Sequence, residues 1–170
     1  LLESLGVHFI FAPTPEEMYT EEEMETSFSF DFNGLDEVME GKMRPGHFNG
    51  VVQVVSRLFE LVRPTRAYFG EKDFQQLAII RYMVERSSLA SHFEDLHIIG
   101  CPIVRETSGL ALSSRNQRLS PEEKQTAIGI SQTLISSLKW AETASVAEVQ
   151  QRVIDTINAI DGLEVEYYEI

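Results

Sequence analysis

The sequence predicts an α/β fold built on a parallel sheet. Ala67 to Phe69 is a short apolar run of strand type, followed by Gly70 to Lys72 as a loop and by a helical pattern that buries Leu77, Ile80 and Val84. A second apolar run, Leu96 to Val104, comes next. Strand, helix and strand in that order imply parallel pairing through a right-handed crossover. The third observation is electrical: Lys72 stands where the first strand gives way to the helix, the place at which open α/β sheets receive ligands.

Composition narrows the class. A chain of 170 residues with 43% hydrophobic content suits one domain, or one and a half smaller ones, with a packed core. No apolar run approaches a membrane span, and no basic segment precedes an apolar one as in a signal peptide, so a cytoplasmic protein is expected. The single cysteine, Cys101, forms no intrachain disulfide, no Cys/His spacing is of the zinc type, and Cys101 beside Pro102 reads as an inert thiol. The net charge of −13 argues against nucleic acid as the main partner. Its distribution is uneven. Residues 1–41 hold eleven acids and no Lys or Arg, residues 42–118 hold eleven Lys or Arg against seven acids, and residues 119–170 hold three against nine. A protein that gathers its cations in the middle is suited to bind a small anion there. The chain starts without methionine inside what reads as a helix end and stops inside an alternating pattern, which reads as a piece of a longer protein.

In chain order, Leu1 to Leu5 with Gly6 reads as a helix end and its glycine cap, and Val7 to Phe11 as a strand. Thr14-Pro15-Glu16-Glu17 opens a short helix with an N-cap, a proline in the first turn and two acids. Phe28, Phe30 and Phe32 alternate with polar residues, which predicts a half-buried strand; a base-stacking platform is disfavoured because no cation lies near. A short helix over Leu35 to Glu40 precedes the loop Arg44-Pro45-Gly46-His47-Phe48. The next helix carries Val51, Val55, Leu58 and Val62 on one face and ends at Pro64. Asp73 is placed to N-cap the helix after the first strand. Residues 105–119 are polar and loop-like, with Gly109 allowing a tight bend, and a domain boundary is expected within 105–120. Ser120-Pro121-Glu122-Glu123 is a capping box that opens a helix to about Ala144. Ser145 and Glu148 repeat it for a helix ending near Gly162, and Val165 and Tyr167 alternate as in a strand.

The chemistry rests on two segments. In Gly70-Glu71-Lys72-Asp73-Phe74-Gln75-Gln76, an ammonium and the orphan N–H groups of a helix start can converge on one anion, such as a polyphosphate. Gly70 admits close approach of a ligand, and Asp73 can accept from a ribose or help hold a metal. On these residues alone, Lys72 as a solvated lysine and Asp73 as a mere cap is an equal reading. Gln76 shares the face of Asp73 and Gln75 points elsewhere. Ser113-Ser114-Arg115 offers two hydroxyls and a guanidinium that can clamp phosphates as charge develops in phosphoryl or nucleotidyl transfer, although such tripeptides are as common in idle loops. His47 is a candidate cation or proton donor, whereas His8, His92 and His97 read as structural or surface residues.

Together these segments resemble a known family. Arg44-Pro45-Gly46-His47-Phe48, Leu61-Val62-Arg63-Pro64, Phe69 to Leu77, Pro102 to Glu106 and Gly109 to Asn116 are similar, in order and spacing, to the pantothenate synthetases (pantoate-β-alanine ligases). The resemblance implies a partial Rossmann-like nucleotidyltransferase domain with a parallel sheet over residues 1–112. It also implies the start of a smaller C-terminal α/β domain over 113–170. The implied activity joins pantoate to β-alanine with ATP and Mg2+, through pantoyl adenylate, releasing pyrophosphate and AMP, in a homodimer that binds neither nucleic acid nor membrane. It implies phosphate contacts from Lys72, Ser113, Ser114 and Arg115 and ribose contacts from Gly70 and Asp73. Val104 and Leu112 would flank the adenine, and Gln76 would bind pantoate. Tyr19, Arg44 and His47 would fall at the acceptor end, and no residue is assigned to a metal. The family's paired-histidine region is expected to be absent, which makes the parent an enzyme and the isolated chain inactive. Two other readings use the same residues: a different nucleotidyltransferase of this fold, and a non-catalytic α/β binding module.

Overall fold

The computed structural model describes residues 1–170. Its elements in chain order are α1 (Pro15–Met18), α2 (Glu21–Glu25), α3 (Met39–Met43), α4 (His47–Val62), β1 (Arg66–Gly70), α5 (Phe74–Glu85), β2 (His97–Cys101), α6 (Pro121–Trp140) and α7 (Val146–Asn158), with short 3-10 turns at Glu3–Leu5, Ala90–His92 and Ser114–Arg118.

The expected parallel pair is present. β1 and β2 run side by side in the register Arg66 to His97 through Gly70 to Cys101, with α5 as the crossover between them. The core lies where α4 and α5 cover this pair: Val52, Ile79, Ile80 and Met83 are wholly buried, and Phe59 stands edge-on to Phe69 and Phe93. Each large apolar side chain so buried stabilises the fold by about 1.5–3 kcal/mol. Proline has no N–H for the ladder, so β2 stops before Pro102 rather than reaching Val104.

The buried stripe of α4 is displaced from the expected one. Phe48, Val52, Ser56 and Phe59 face the core, while Val51, Val55 and Leu58 are half-buried and Val62 is 52% exposed. Apolar residues occupy more than one stripe of this helix, so periodicity alone leaves its orientation open. The two phenylalanines bury the most area, and they decide it. Arg63, with φ of 50°, turns the chain out of the helix ahead of Pro64.

Three segments expected as strands are extended or bent without strand pairing. Val7 to Phe11 has no neighbouring strand, and Phe9 is 92% exposed. Ser27 to Phe32 keeps its period of two, with Phe28, Phe30 and Phe32 turned to the core and Ser27, Ser29 and Asp31 outward. Here the Asn49 side chain supplies what a partner strand would: its Oδ1 accepts from Phe30 N at 3.0 Å and its Nδ2 donates to Phe28 O. Val165 to Tyr168 is tied down by side chains as well, Val165 N donating to Asn158 Oδ1 at 2.8 Å and Gln150 Nε2 to Tyr168 O at 2.7 Å. A strand is defined by its pairing, and alternation in sequence shows only that one face is covered.

The helix expected over Leu35 to Glu40 is displaced to α3, and residues 34–37 form turns. The capping boxes at Thr14, Ser120 and Ser145 are all formed, but α6 ends at Trp140 rather than near Ala144. A second cluster packs Val149, Val153 and Ile157 of α7 against Leu134 and Trp140 of α6 and against Val165 and Tyr168. The Arg152 guanidinium lies 4.1 Å from the centre of the Trp140 ring, a cation–π contact.

The Ser145 box has a pH signature. The Ser145 hydroxyl and then its backbone N–H hold the Glu148 carboxyl below its ordinary value of 4.5. A carboxylate whose pKa is lowered in the folded state adds stability that is complete above the ordinary value and is lost as pH falls through the lowered one. Ser145→Ala, which removes the hydroxyl but keeps the backbone N–H, is expected to move Glu148 part of the way back toward 4.5 in an NMR titration and to weaken this acid-side dependence in the melting of α7.

Candidate active site at the strand ends

Gly70 closes β1, and the ladder extends one residue further because Glu71 N donates to Cys101 O at 2.9 Å. The chain then turns, Asp73 N donating to Gly70 O at 3.3 Å, and α5 begins. Asp73 occupies the N-cap position as expected, but its side chain makes no capping hydrogen bond. Its carboxylate instead meets Lys72 Nζ at 3.4 Å, with both side chains well exposed. Nothing lies within 4 Å of the place a Cβ on Gly70 would occupy. The loop therefore presents an open backbone, an ammonium and a carboxylate beside the unpaired first N–H groups of a 12-residue helix.

The two glutamines separate as their spacing predicts. Gln76 is half-buried and its side chain makes no hydrogen bond within the chain, whereas Gln75 is buried and saturated. Gln75 Nε2 donates to Leu35 O and Val38 O, each at 2.8 Å, and its Oε1 accepts from Gly41 N at 3.2 Å. This amide fastens the 35–41 turn to the first turn of α5. The turn is tight: a Cβ on Gly41 would fall 2.2 Å from Asp36 O, and Met39 adopts a φ of 49°.

That turn leads to Arg44 and His47. Glu40 Oε1 accepts from Arg44 Nη1 at 2.5 Å and lies 3.7 Å from His47 Nε2, so one carboxylate gathers both residues at the head of α4. Arg44 lines a cavity of about 300 Å³ with Lys42 and Asn49. Tyr19 lines a different one, of about 420 Å³, in which its hydroxyl donates to Gln53 O at 3.4 Å and burial pushes its pKa up. Arg57 joins α1 to α4 there, donating through Nε to Met18 O at 2.6 Å and pairing with Glu60 at 3.2 Å.

Residues 104–112 form a small hairpin where only a loop was expected. Leu112 N donates to Val104 O at 2.9 Å, Arg105 and Ala111 bridge, and Gly109 turns the chain at a φ of 95°. Val104 and Leu112 are thus neighbours, both more than half exposed. Ser113 caps the following 3-10 turn, its hydroxyl accepting from Arg115 N at 3.2 Å, and Asn116 Nδ2 ties the turn to Ala111 O at 2.9 Å. The Ser114 and Arg115 side chains are exposed and make no hydrogen bond within the chain. No hydrogen bond or ion pair joins this turn to the Lys72 loop. Two larger clefts, of about 790 and 600 Å³, contain none of these residues.

Sequence reasoning missed Asn49, Glu40 and the structural role of Gln75. Glu40 stands four residues before Arg44, the spacing of a helical ion pair, and that signal was readable.

A parallel pair that ends in an open glycine, a lysine and a helix N-terminus makes this an α/β protein with an open position at the strand ends where such sheets receive ligands. Comparison with known proteins makes this specific. The sequence model of the family described as pantoate-beta-alanine ligase matches residues 1–170. The pantothenate synthetase of Phocaeicola vulgatus is 57% identical over 170 residues, covering 100% of this chain and 58% of that protein. A Porphyromonas gingivalis pantothenate synthetase is 48% identical over the same span. The crystal structure of pantothenate synthetase from Thermus thermophilus superposes with a TM-score of 0.86 at 42% identity, covering 98% of this chain and 58% of that one. The Francisella tularensis pantoate-beta-alanine ligase, complexed with beta-gamma ATP and beta-alanine, gives 0.70 at 32% identity, covering 91% and 55%. The chain belongs to the pantoate-beta-alanine ligase family, its fold is of Rossmann type, and it spans a little under three-fifths of the length of these relatives.

One expectation is overturned. The histidine-bearing region is present: the family match begins at residue 1, and His47 stands at the head of α4, beside Glu40 and Arg44. In sequence His47 is a lone histidine in a glycine-flanked loop, and only folding gathers it with its partners.

Because Gln75 satisfies three backbone groups at once, Gln75→Ala is expected to cost about 2–4 kcal/mol, seen as a lower urea midpoint. Amide exchange should rise across residues 35–41.

Proposed function

We propose that the chain contributes the ATP and pantoate sites to a pantoate-β-alanine ligase. In that reaction the pantoate carboxylate attacks the α-phosphorus of ATP, expelling pyrophosphate and forming pantoyl adenylate. The amine of β-alanine then attacks the acyl carbon, and AMP leaves. Neither step needs a protein nucleophile. Each needs in-line placement of the reactants and positive charge around the phosphates.

The observation that carries this reading is the Gly70–Gln76 segment, open at the carboxyl end of β1, in a chain that matches the family throughout. Lys72 would hold the phosphates with Ser113, Ser114 and Arg115; the Ser114 and Arg115 side chains make no intrachain bond, and the Ser113 hydroxyl, which accepts from Arg115 N, keeps its own O–H to donate. Gly70 and Asp73 would meet the ribose, and Val104 and Leu112, adjacent across the hairpin, would flank the adenine. Gln76, free of intrachain bonds, would bind pantoate. Tyr19, Arg44 and His47 would serve the acceptor end. Mg2+ would enter with ATP as part of the substrate. Among this chain's residues no group of three or more His, Cys, Asp or Glu is arranged to hold a metal.

The same reading makes residues 1–112 the nucleotide-binding part and 113–170 the start of a smaller C-terminal α/β domain, supported by the separate cluster of α6 and α7. It implies a cytoplasmic homodimer. No helix is long and apolar enough to cross a membrane.

In the full-length protein, Lys72→Ala is expected to lower kcat about 10²-fold or more, by analogy with removing one electrostatic contact to a transition state. Release of pyrophosphate from ATP and pantoate alone, before β-alanine is added, measures the first step. Gln76→Ala should raise the KM for pantoate and leave that for β-alanine nearly unchanged. Turnover unaffected by Lys72→Ala would refute the assignment.

A further inference from the structure

The Lys72 loop has an electrostatic problem. Glu71, Lys72 and Asp73 are consecutive, so the segment offered to a polyphosphate carries two carboxylates and one ammonium. Lys72 is engaged with Asp73 at 3.4 Å, which leaves Glu71 to be accounted for.

Glu71 turns back over Gly100, the fourth residue of β2. The point that a Cβ on Gly100 would occupy is 3.1 Å from Glu71 Oε1, 3.1 Å from Arg81 Nη2 and 3.3 Å from Leu77 Cδ2. Asp73, Leu77 and Arg81 follow at intervals of four along one face of α5, and Leu77 is buried beneath them. The helix thereby carries a guanidinium to the same bare patch of sheet that receives the Glu71 carboxylate. A side chain at this position would crowd all three. Neither Glu71 nor Arg81 has an ion-pair partner within 4.0 Å, so the two charges face each other across Gly100 without direct contact.

We propose that Arg81 is a positioning residue for the nucleotide: its guanidinium, facing Glu71 across the bare patch at Gly100, offsets that carboxylate's charge, so that the loop approaches ATP neutral rather than at −1. This rests on the reading that Gly70, Lys72 and Asp73 receive ATP. Arg81 itself touches no substrate in this scheme. Opposite charges on one partly solvated patch attract without touching, and the attraction is weakened by salt.

Calorimetric titration of the full-length protein with Mg-ATP tests it, with melting temperature measured on every variant. Arg81→Met, which keeps the apolar stem, is expected to weaken ATP binding about fivefold, within the range of measured couplings between contacting residues. Adding Glu71→Gln to it should bring affinity back to within about twofold of the wild type, because the uncompensated carboxylate is gone. Arg81→Lys should retain most of the affinity, and the Arg81→Met defect should shrink at high ionic strength. A double variant as weak as Arg81→Met alone, or a defect indifferent to salt, would overturn the proposal. Lys72→Ala separates this from failure of the underlying reading: if it too leaves ATP affinity unchanged, the loop is not a nucleotide site. If Lys72→Ala weakens binding and Arg81→Met does not, the site stands and the role of Arg81 falls.

Discussion

The buried amide of Gln75 is the contact on which the arrangement of this protein depends. It belongs to the first turn of α5, the helix that makes the parallel pairing of β1 and β2 possible, yet its hydrogen bonds go to Leu35, Val38 and Gly41. A buried amide that makes three hydrogen bonds is a directional fastener, because each bond lost leaves a polar group without water. Through it, the turn before α3 is held against the start of α5. The loop bearing Lys72 and Asp73 and the segment leading to Arg44 and His47 are therefore tied together, although most of α4 and all of β1 lie between them in the chain.

Around that fastener the protein supports its irregular segments with single side chains. Asn49 bonds to Phe28 and Phe30 as a neighbouring strand would, Arg57 joins α1 to α4, and Asn158 and Gln150 hold the tail after α7. The two-stranded sheet is small, so most extended segments have no strand to pair with, and their backbone groups must be satisfied in this way. The same economy is visible at the candidate site. Gln76, Ser114 and Arg115, to which substrate contacts are assigned, have no intrachain side-chain partners, whereas the neighbouring Gln75 amide is committed to the fold.

Much of this was legible in the sequence because it is encoded locally. The strand–helix–strand unit, the glycine turns at Gly6 and Gly109, the capping boxes and the loop carrying Lys72 each depend on residues within a few positions of one another. The separation of Gln75 from Gln76 followed from helical geometry alone. Family membership was readable for a different reason, since several short motifs in fixed order are far more specific than any one of them.

What the tertiary structure decided is how these local units meet. The chain pattern of α4 allowed more than one buried stripe, and the bulk of Phe48 and Phe59 against the sheet selected one. Alternation at Val7 to Phe11, Ser27 to Phe32 and Val165 to Tyr167 announced strands, but a strand exists only where another backbone is in reach. The fastening of the 35–41 turn by Gln75, the contact of Val104 with Leu112 and the convergence of Glu71 and Arg81 on Gly100 share that character. Composition and spacing determined which polar groups this protein carries at its strand ends. Distances between residues remote in sequence determined which of them are free to be used.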